Sequence, residues 1–313
     1  MVQFYDILEE LHLSSTECVL ATIIHVEGSA YMGVGTSMLI KQDGTYIGIL
    51  SGGCLEEDVI LRSRRVFESK RSETLVYMGT DLEWGVESGC HGTLYILLEF
   101  VEEKLKRKLL DVRNQLSQGN VMIQQRRLNK NWELVASDLF KEEHFRKSIH
   151  ESIRDHYIYT QRITPKPRLV IFGAGVDVQP VVSLAAQAGF SVTVCDWRPA
   201  LCNEESIPGV DQYFIGFPND VGQRLFFKKE DYVIIMTHNL QRDREVLALV
   251  MNKPLCYIGI LGSKKRAELL FDTEIPNRIH VPIGLNISAK GPYEIAVSIV
   301  AELIHVRNGQ RPI

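Results

Sequence analysis

The chain has 313 residues, with 35 Lys and Arg against 39 Asp and Glu, a formal charge of −4 and a hydrophobic content of 45%. That length holds two cores of ordinary size, the composition is that of a globular protein, and the mild acidity gives no general attraction to nucleic acid or to an anionic membrane surface. No apolar run reaches the length of a membrane span and the polar start after Met1 is unlike an export signal, so a cytoplasmic location is expected.

Residues 4–11 pattern as a short helix and 19–26 as a strand leading into Gly28-Ser29 and the glycine-punctuated Gly33-Val34-Gly35. Residues 38–41 and 46–50 flank Asp43-Gly44, a strong hairpin signal. Ser51-Gly52-Gly53-Cys54 then precedes a helix over 55–67, whose Glu56, Glu57 and Asp58 suit the positive end of the helix dipole. Strands are expected at 75–78 and 93–100, a charged amphipathic helix at 105–116, and a second hairpin from 121–126 and 132–136. Together these make a mixed α/β N-terminal domain over residues 1–140. The stretch 141–167 is polar and partly helical, is interrupted by Pro165 and Pro167, and reads as a linker.

From residue 168 to 313 strand and helix alternate. Strands are expected at 169–172, 191–195, 212–215, 231–236, 255–260 and 279–281, with helices at 179–188, 242–251, 264–270 and 293–307. Runs such as Tyr232-Val233-Ile234-Ile235-Met236 are apolar on both faces, as a parallel sheet covered by helices requires. The fold class is therefore α/β, a mixed N-terminal domain followed by a Rossmann-like parallel-sheet C-terminal domain. Chemistry in such a sheet belongs at the strand-end loops.

Four loops carry it. The first strand ends in Gly173-Ala174-Gly175, where Gly173 allows a sharp turn and Gly175 leaves no side chain between the backbone and a pyrophosphate. Val178 stands where the usual fingerprint has a third glycine, and Asp177 repels an incoming phosphate. Two readings stay open: a nucleotide site, or an empty turn that only lets helix and sheet pack closely. Asp196 ends the second strand, where a carboxylate can accept hydrogen bonds from ribose hydroxyls and favours NAD over its 2'-phosphorylated form; Arg198 reverses that local charge, and an ordinary turn acid is the plain alternative. His238, after the fourth strand, is either a proton carrier near neutral pH or a structural residue. Gly262, Ser263, Lys264, Lys265 and Arg266 open a helix with exposed N–H groups and three cations, either an anion site or a solvated patch.

The cysteines are Cys18, Cys54, Cys90, Cys195, Cys202 and Cys256, with no CxxC pair and no need for a disulfide scaffold. Cys18, Cys195 and Cys256 lie in apolar runs and read as core residues. Cys54 and Cys90 sit among glycines instead. Cys54 falls near a helix N-terminus, which lowers a thiol pKa, and Cys90 is followed by His91. A thiol role, a soft metal site and incidental cysteines in glycine turns are all open, but three ligands fall short of a closed zinc site and no resident metal is expected.

These motifs resemble the xanthine dehydrogenase accessory protein family, the XdhC and CoxI family. The resemblance is carried by Gly28-Ser29, Ser51-Gly52-Gly53-Cys54-Leu55-Glu56, Gly89-Cys90-His91-Gly92, Gly173-Ala174-Gly175, Asp196 with Arg198-Pro199, Met236-Thr237-His238, Gly262-Ser263-Lys264-Lys265-Arg266 and Pro282-Ile283-Gly284-Leu285, in the family's order. Ala30-Tyr31-Met32 and the Asp177 form of the turn depart from its commoner pattern. The resemblance implies a protein that transiently holds molybdenum cofactor, protects it while its terminal sulfur is installed, and passes it to a molybdenum hydroxylase apoenzyme, with a cysteine desulfurase as a further partner and a homodimer as a possible state. It places Cys54 and Cys90 at the reactive end of a phosphorylated pterin lying between the domains, and Gly173, Gly175, Asp196, His238, Gly262, Ser263, Lys264 and Arg266 along the rest.

Two other readings remain: an NAD(P)-dependent oxidoreductase or sensor that uses Asp196 and His238, and an interaction module that keeps the fold without a small-molecule ligand.

Overall fold

The computed structural model describes residues 3–53, 55–78, 92–144, 156–271 and 274–309. It divides into two compact units, Met1–Pro165 and Lys166–Ile313.

In the first unit, α1 (Phe4–Leu13) precedes strands β1 (Cys18–Glu27), β2 (Ser37–Lys41) and β3 (Tyr46–Ile47). There follow α2 (Glu56–Ser69), β4 (Glu73–Met78), β5 (Thr93–Phe100) and α3 (Glu103–Ser117). The strands form an antiparallel sheet in the order β3-β2-β1-β5-β4. Alternation along β1 sends Val19, Ala21 and Ile23 into one core with Val59 and Val66 of α2. Leu20 faces the opposite core, with Leu8 of α1 and Val112 of α3. Strands β6 (Met122–Asn129), β7 (Leu134–Lys141) and β8 (His156–Ile163) make a second antiparallel sheet, ordered β7-β6-β8. Arg126 of β6 joins the two sheets: its Nε and Nη2 reach one carboxylate oxygen of Glu99 on β5 at 2.9 and 2.6 Å, with both residues buried. Among the described residues, Nη1 of Arg126 and Oε1 of Gln124 have no hydrogen-bond partner.

Strand β8 lies inside the stretch read as a linker. Only Tyr159 and Ile163 of its side chains are buried, so the apolar alternation that marks a strand is nearly absent, and pairing with β6 supplies the order instead.

The second unit contains β9 (Arg168–Phe172), α4 (Val178–Gln187), β10 (Ser191–Asp196), β11 (Gln212–Ile215), α5 (Pro218–Arg224), β12 (Tyr232–Ile235), α6 (Leu240–Val250), β13 (Tyr257–Ile260), α7 (Lys264–Glu268), β14 (Ile279–His280) and α8 (Gly291–Arg307). All six strands are parallel, in the order β11-β10-β9-β12-β13-β14. The winding reverses between β9 and β12, the point at which open α/β sheets leave a crevice for ligands. Ile171, Val194 and Ile234 pack under α4 and α8 on one face, while Phe172, Val233 and Ile258 pack under α5 and α6 on the other. Glu302 of α8 fastens the far end of the sheet by accepting from the Tyr257 hydroxyl and from the Gly284 N–H at 2.7 Å, with His280 Nδ1 at 2.9 Å. Burial alone raises the pKa of Glu302, but the bonds from His280, Tyr257 and Gly284 outweigh it and hold the carboxyl below its ordinary value.

Cys18 and Cys195 are buried as expected, and Cys202 is also buried. Cys256 is exposed, because β13 begins one residue later and the apolar run around the thiol starts outside the sheet. Among the described residues, no helix is long and apolar enough to cross a membrane.

Candidate functional site

In the first unit, β1 and β3 run in one direction and β5 in the other. The end of β1, the segment leaving β3 and the start of β5 therefore share one edge of the sheet. Gly28-Ser29, residues 51–53 and Gly92 stand there. A side chain at Gly92 would meet the backbone carbonyls of Ser29 and Glu27 at 2.4 and 2.7 Å, so the residue before β5 is a glycine because the Gly28-Ser29 turn packs directly on it.

Residues 51–53 follow β3 and are shaped by a residue of the next helix. The Glu56 carboxylate accepts the N–H groups of Leu50 and Ser51 at 2.9 and 2.8 Å, the Ser51 hydroxyl at 2.7 Å and the Leu55 N–H at 3.2 Å. Burial opposes ionisation of Glu56, but these donors prevail and its pKa lies below the ordinary value. Gly52 and Gly53 are exposed, and a Cβ on either would meet nothing within 4 Å. Gly53 has φ +113°, a conformation that disfavours any side chain. The loop is thus rigid beneath and open above. Cys54, Cys90 and His91 lie outside the described residues.

In the second unit, the four predicted loops leave adjacent strands at one edge, in the lateral order Asp196, Gly173-Ala174-Gly175, His238, Gly262-Ser263. Successive strands lie about 4.8 Å apart, so the row extends over roughly 14 Å. The structure gives each residue its own local reason. Gly173 has φ +123° and a Cβ there would lie 2.2 Å from the Met236 carbonyl, so this glycine lets the turn pass against the end of β12.

Asp196 is fully engaged. One carboxylate oxygen accepts the Ala174 N–H and Arg198 Nη2, both at 2.8 Å, and the other accepts the Arg198 N–H and Nε at 2.8 and 2.9 Å. The carboxylate is buried and Arg198, which also lies over the Trp197 ring, is the group partly presented at the edge.

His238 takes a left-handed conformation, φ +56°, and its Nε2 lies 2.8 Å from an Asp177 carboxylate oxygen. Its neighbour Thr237 donates its hydroxyl to buried Asp243. The other oxygen of Asp243 takes Arg266 Nη2 at 2.6 Å. Arg266 is therefore an internal tie between the loops after β12 and β13. Ser263 caps α7 by accepting the Arg266 N–H at 3.3 Å. Ser263, Lys264 and Lys265 are exposed and supply the outward hydroxyl and positive charge. Among the described residues, no cluster of three or more His, Cys, Asp or Glu is disposed to hold a metal.

Sequence reasoning gave Glu56 only the helix dipole and Asp177 only the repulsion of a phosphate, and it gave Asp243 no task at all. A helix-start acid three residues beyond a glycine pair was a readable signal for Glu56. Nothing in the spacing of Asp243 announces its partners in two other loops.

Comparison with known proteins gives a consistent result. Residues 169–303 match the XdhC Rossmann domain and residues 11–78 match the XdhC and CoxI family. The chain is 37% identical over 327 residues to a protein of Bacillus subtilis described as a probable xanthine dehydrogenase subunit, covering 98% of each protein. It is 24% identical over 310 residues to the molybdenum cofactor insertion chaperone PaoD of Escherichia coli, covering 95% of this chain and 86% of that one. The crystal structure of a xanthine dehydrogenase from Bacillus halodurans superposes with a TM-score of 0.90 at 38% identity, covering 99% of this chain and 97% of that chain. With both segments matched in order and relatives aligned from end to end, the chain belongs to the XdhC and CoxI family.

Proposed function

We propose that this protein serves the maturation of a molybdenum hydroxylase by holding molybdenum cofactor as cargo and passing it to the apoenzyme. The single structural observation that supports this reading is the loop at 51–53: a backbone fixed from below by Glu56 and bare of side chains above, immediately before Cys54. Such a surface suits a large, flat, polar cargo approaching a thiol. The relatives named above for xanthine dehydrogenase and for cofactor insertion agree with it.

In this reading Cys54 and Cys90 act near the sulfur-bearing end of the cargo. In the second unit, exposed Ser263, Lys264 and Lys265 are the hydroxyl and cations suited to an anionic group. Gly173 and Gly175 shape the turn, and Arg266 and Asp196 brace the loops on either side. The apoenzyme and a cysteine desulfurase are the protein partners. A nicotinamide cofactor fits less well, because ribose hydroxyls need acceptors and both oxygens of Asp196 already serve Ala174 and Arg198.

The test is anaerobic purification from cells that synthesise molybdenum cofactor, followed by molybdenum analysis and fluorescence of the oxidised pterin. Both should be retained by the wild-type chain and depleted at least about tenfold in Cys54→Ser. Protein that carries neither, even when mixed with released cofactor, overturns the proposal.

A further inference from the structure

We infer that Asp177 determines which anions the glycine turn after β9 accepts: its carboxylate, latched by His238 across Gly175, closes the turn to phosphate groups. Gly175 is the position where a bare backbone ordinarily receives a pyrophosphate. Here the space beside it is taken by the chain itself. A Cβ on Gly175 would lie 2.7 Å from Oδ1 of Asp177 and 3.6 and 3.8 Å from Cδ2 and Nε2 of His238. The glycine makes room for this pair.

The latch joins two strand ends on opposite sides of the winding reversal. Asp177 precedes α4 on the β9 side, His238 follows β12, and the His238 Nε2 to Asp177 Oδ2 distance is 2.8 Å. His238 keeps a left-handed backbone that a side chain disfavours, and its ring is 59% exposed, so burial of the ring does not account for the conformation. The Asp177 side chain is 18% exposed, and its Oδ1 is the atom that a Cβ on Gly175 would strike.

A phosphate arriving there meets both a filled volume and a like charge. At contact distance that repulsion alone weakens association roughly tenfold or more. The exposed cations Lys264 and Lys265 stand on the loop after β13, two strands away, so a phosphorylated ligand is directed to that end and pyrophosphate-linked dinucleotides lose their usual seat. The inference rests on the edge of the parallel sheet being ligand-bearing, as proposed above.

Calorimetric titration of ADP and NAD into the full chain tests it. Asp177→Asn keeps the shape and removes the charge, and Asp177→Ser removes both. We expect ADP affinity to rise at least about tenfold in Asp177→Ser, by less in Asp177→Asn, and the gain to persist when Lys264 and Lys265 are changed to Ala in the Asp177→Ser background. Folded Asp177→Ser and Asp177→Asn proteins that bind ADP no better than wild type overturn the inference, as does a gain that disappears with the two lysines. A wild-type chain that retains molybdenum and pterin beside an Asp177→Ser variant that gains nothing overturns this inference alone. A gain in ADP affinity in a chain that never retains pterin leaves it standing and removes the cargo proposal.

Discussion

The Ser51 hydroxyl donates to Glu56 at 2.7 Å, and the same carboxylate takes the N–H groups on either side of the glycine pair. An acid at the start of α2 thereby fixes a loop that precedes it in the chain. Glu56→Ala removes the acceptor that these buried donors share and is expected to cost about 2–4 kcal/mol of stability, measured as a lowered urea midpoint. A loss below about 0.5 kcal/mol would show that the loop holds its shape without the carboxylate.

Acid should weaken the fold through Glu56 and Glu302. Both have folded-state pKa values below the ordinary 4.5, so the unfolded chain takes up their protons first. Their contribution is complete above pH 4.5 and declines as the pH falls from there through the folded-state values. Urea midpoints at pH 7, 5, 4 and 3 should show this decline, and Glu302→Gln should flatten part of it. An equally steep decline in that variant assigns the acid sensitivity to other groups.

Arg126 and Glu99 test how the two sheets of the first unit are joined. Arg126→Ala strands a buried carboxylate and is expected to cost about 3–5 kcal/mol. Changing both together, Arg126→Met with Glu99→Leu, should recover most of the loss, since Arg126 Nη1 finds no partner among the described residues. A double variant as unstable as the single one would mean that the pair contributes net stability rather than only connection.

Two glycines make a contrasting pair. At Gly173 a Cβ would strike the Met236 carbonyl at 2.2 Å, with φ +123°, and Gly173→Ala should destabilise the second unit by about 3 kcal/mol or more. At Gly52 a Cβ meets nothing within 4 Å, so Gly52→Ala should hold stability within about 0.5 kcal/mol. If the loop receives the cargo, the same variant should retain less molybdenum and pterin. Wild-type retention in Gly52→Ala would remove the loop from the binding surface.

The strands of the parallel sheet were legible because burial on both faces writes itself as continuous apolar runs, as at 232–236. Helix α5 was not, since seven residues that include Gly222 carry no apolar period. Strand β8 escaped for the same reason, with only two buried side chains. The strand-end loops were placed correctly by the alternation of strand and helix, but the engagement of their side chains was hidden. Asp196 is satisfied by a neighbour two residues away and by a backbone N–H in a different loop. Arg266 turns inward to an acid of α6. Spacing identifies which residues reach an edge, whereas partners separated by tens of residues emerge only once the chain is folded.

The Thr237, Asp243 and Arg266 chain has a mechanical consequence. Two strand-end segments answer to a single buried carboxylate, so drawing the Arg266 guanidinium away would remove the cation that offsets the charge to which Thr237 donates. The segment carrying Arg266 and the segment beside His238 therefore stand or fall together, because the acid between them has no way back to water.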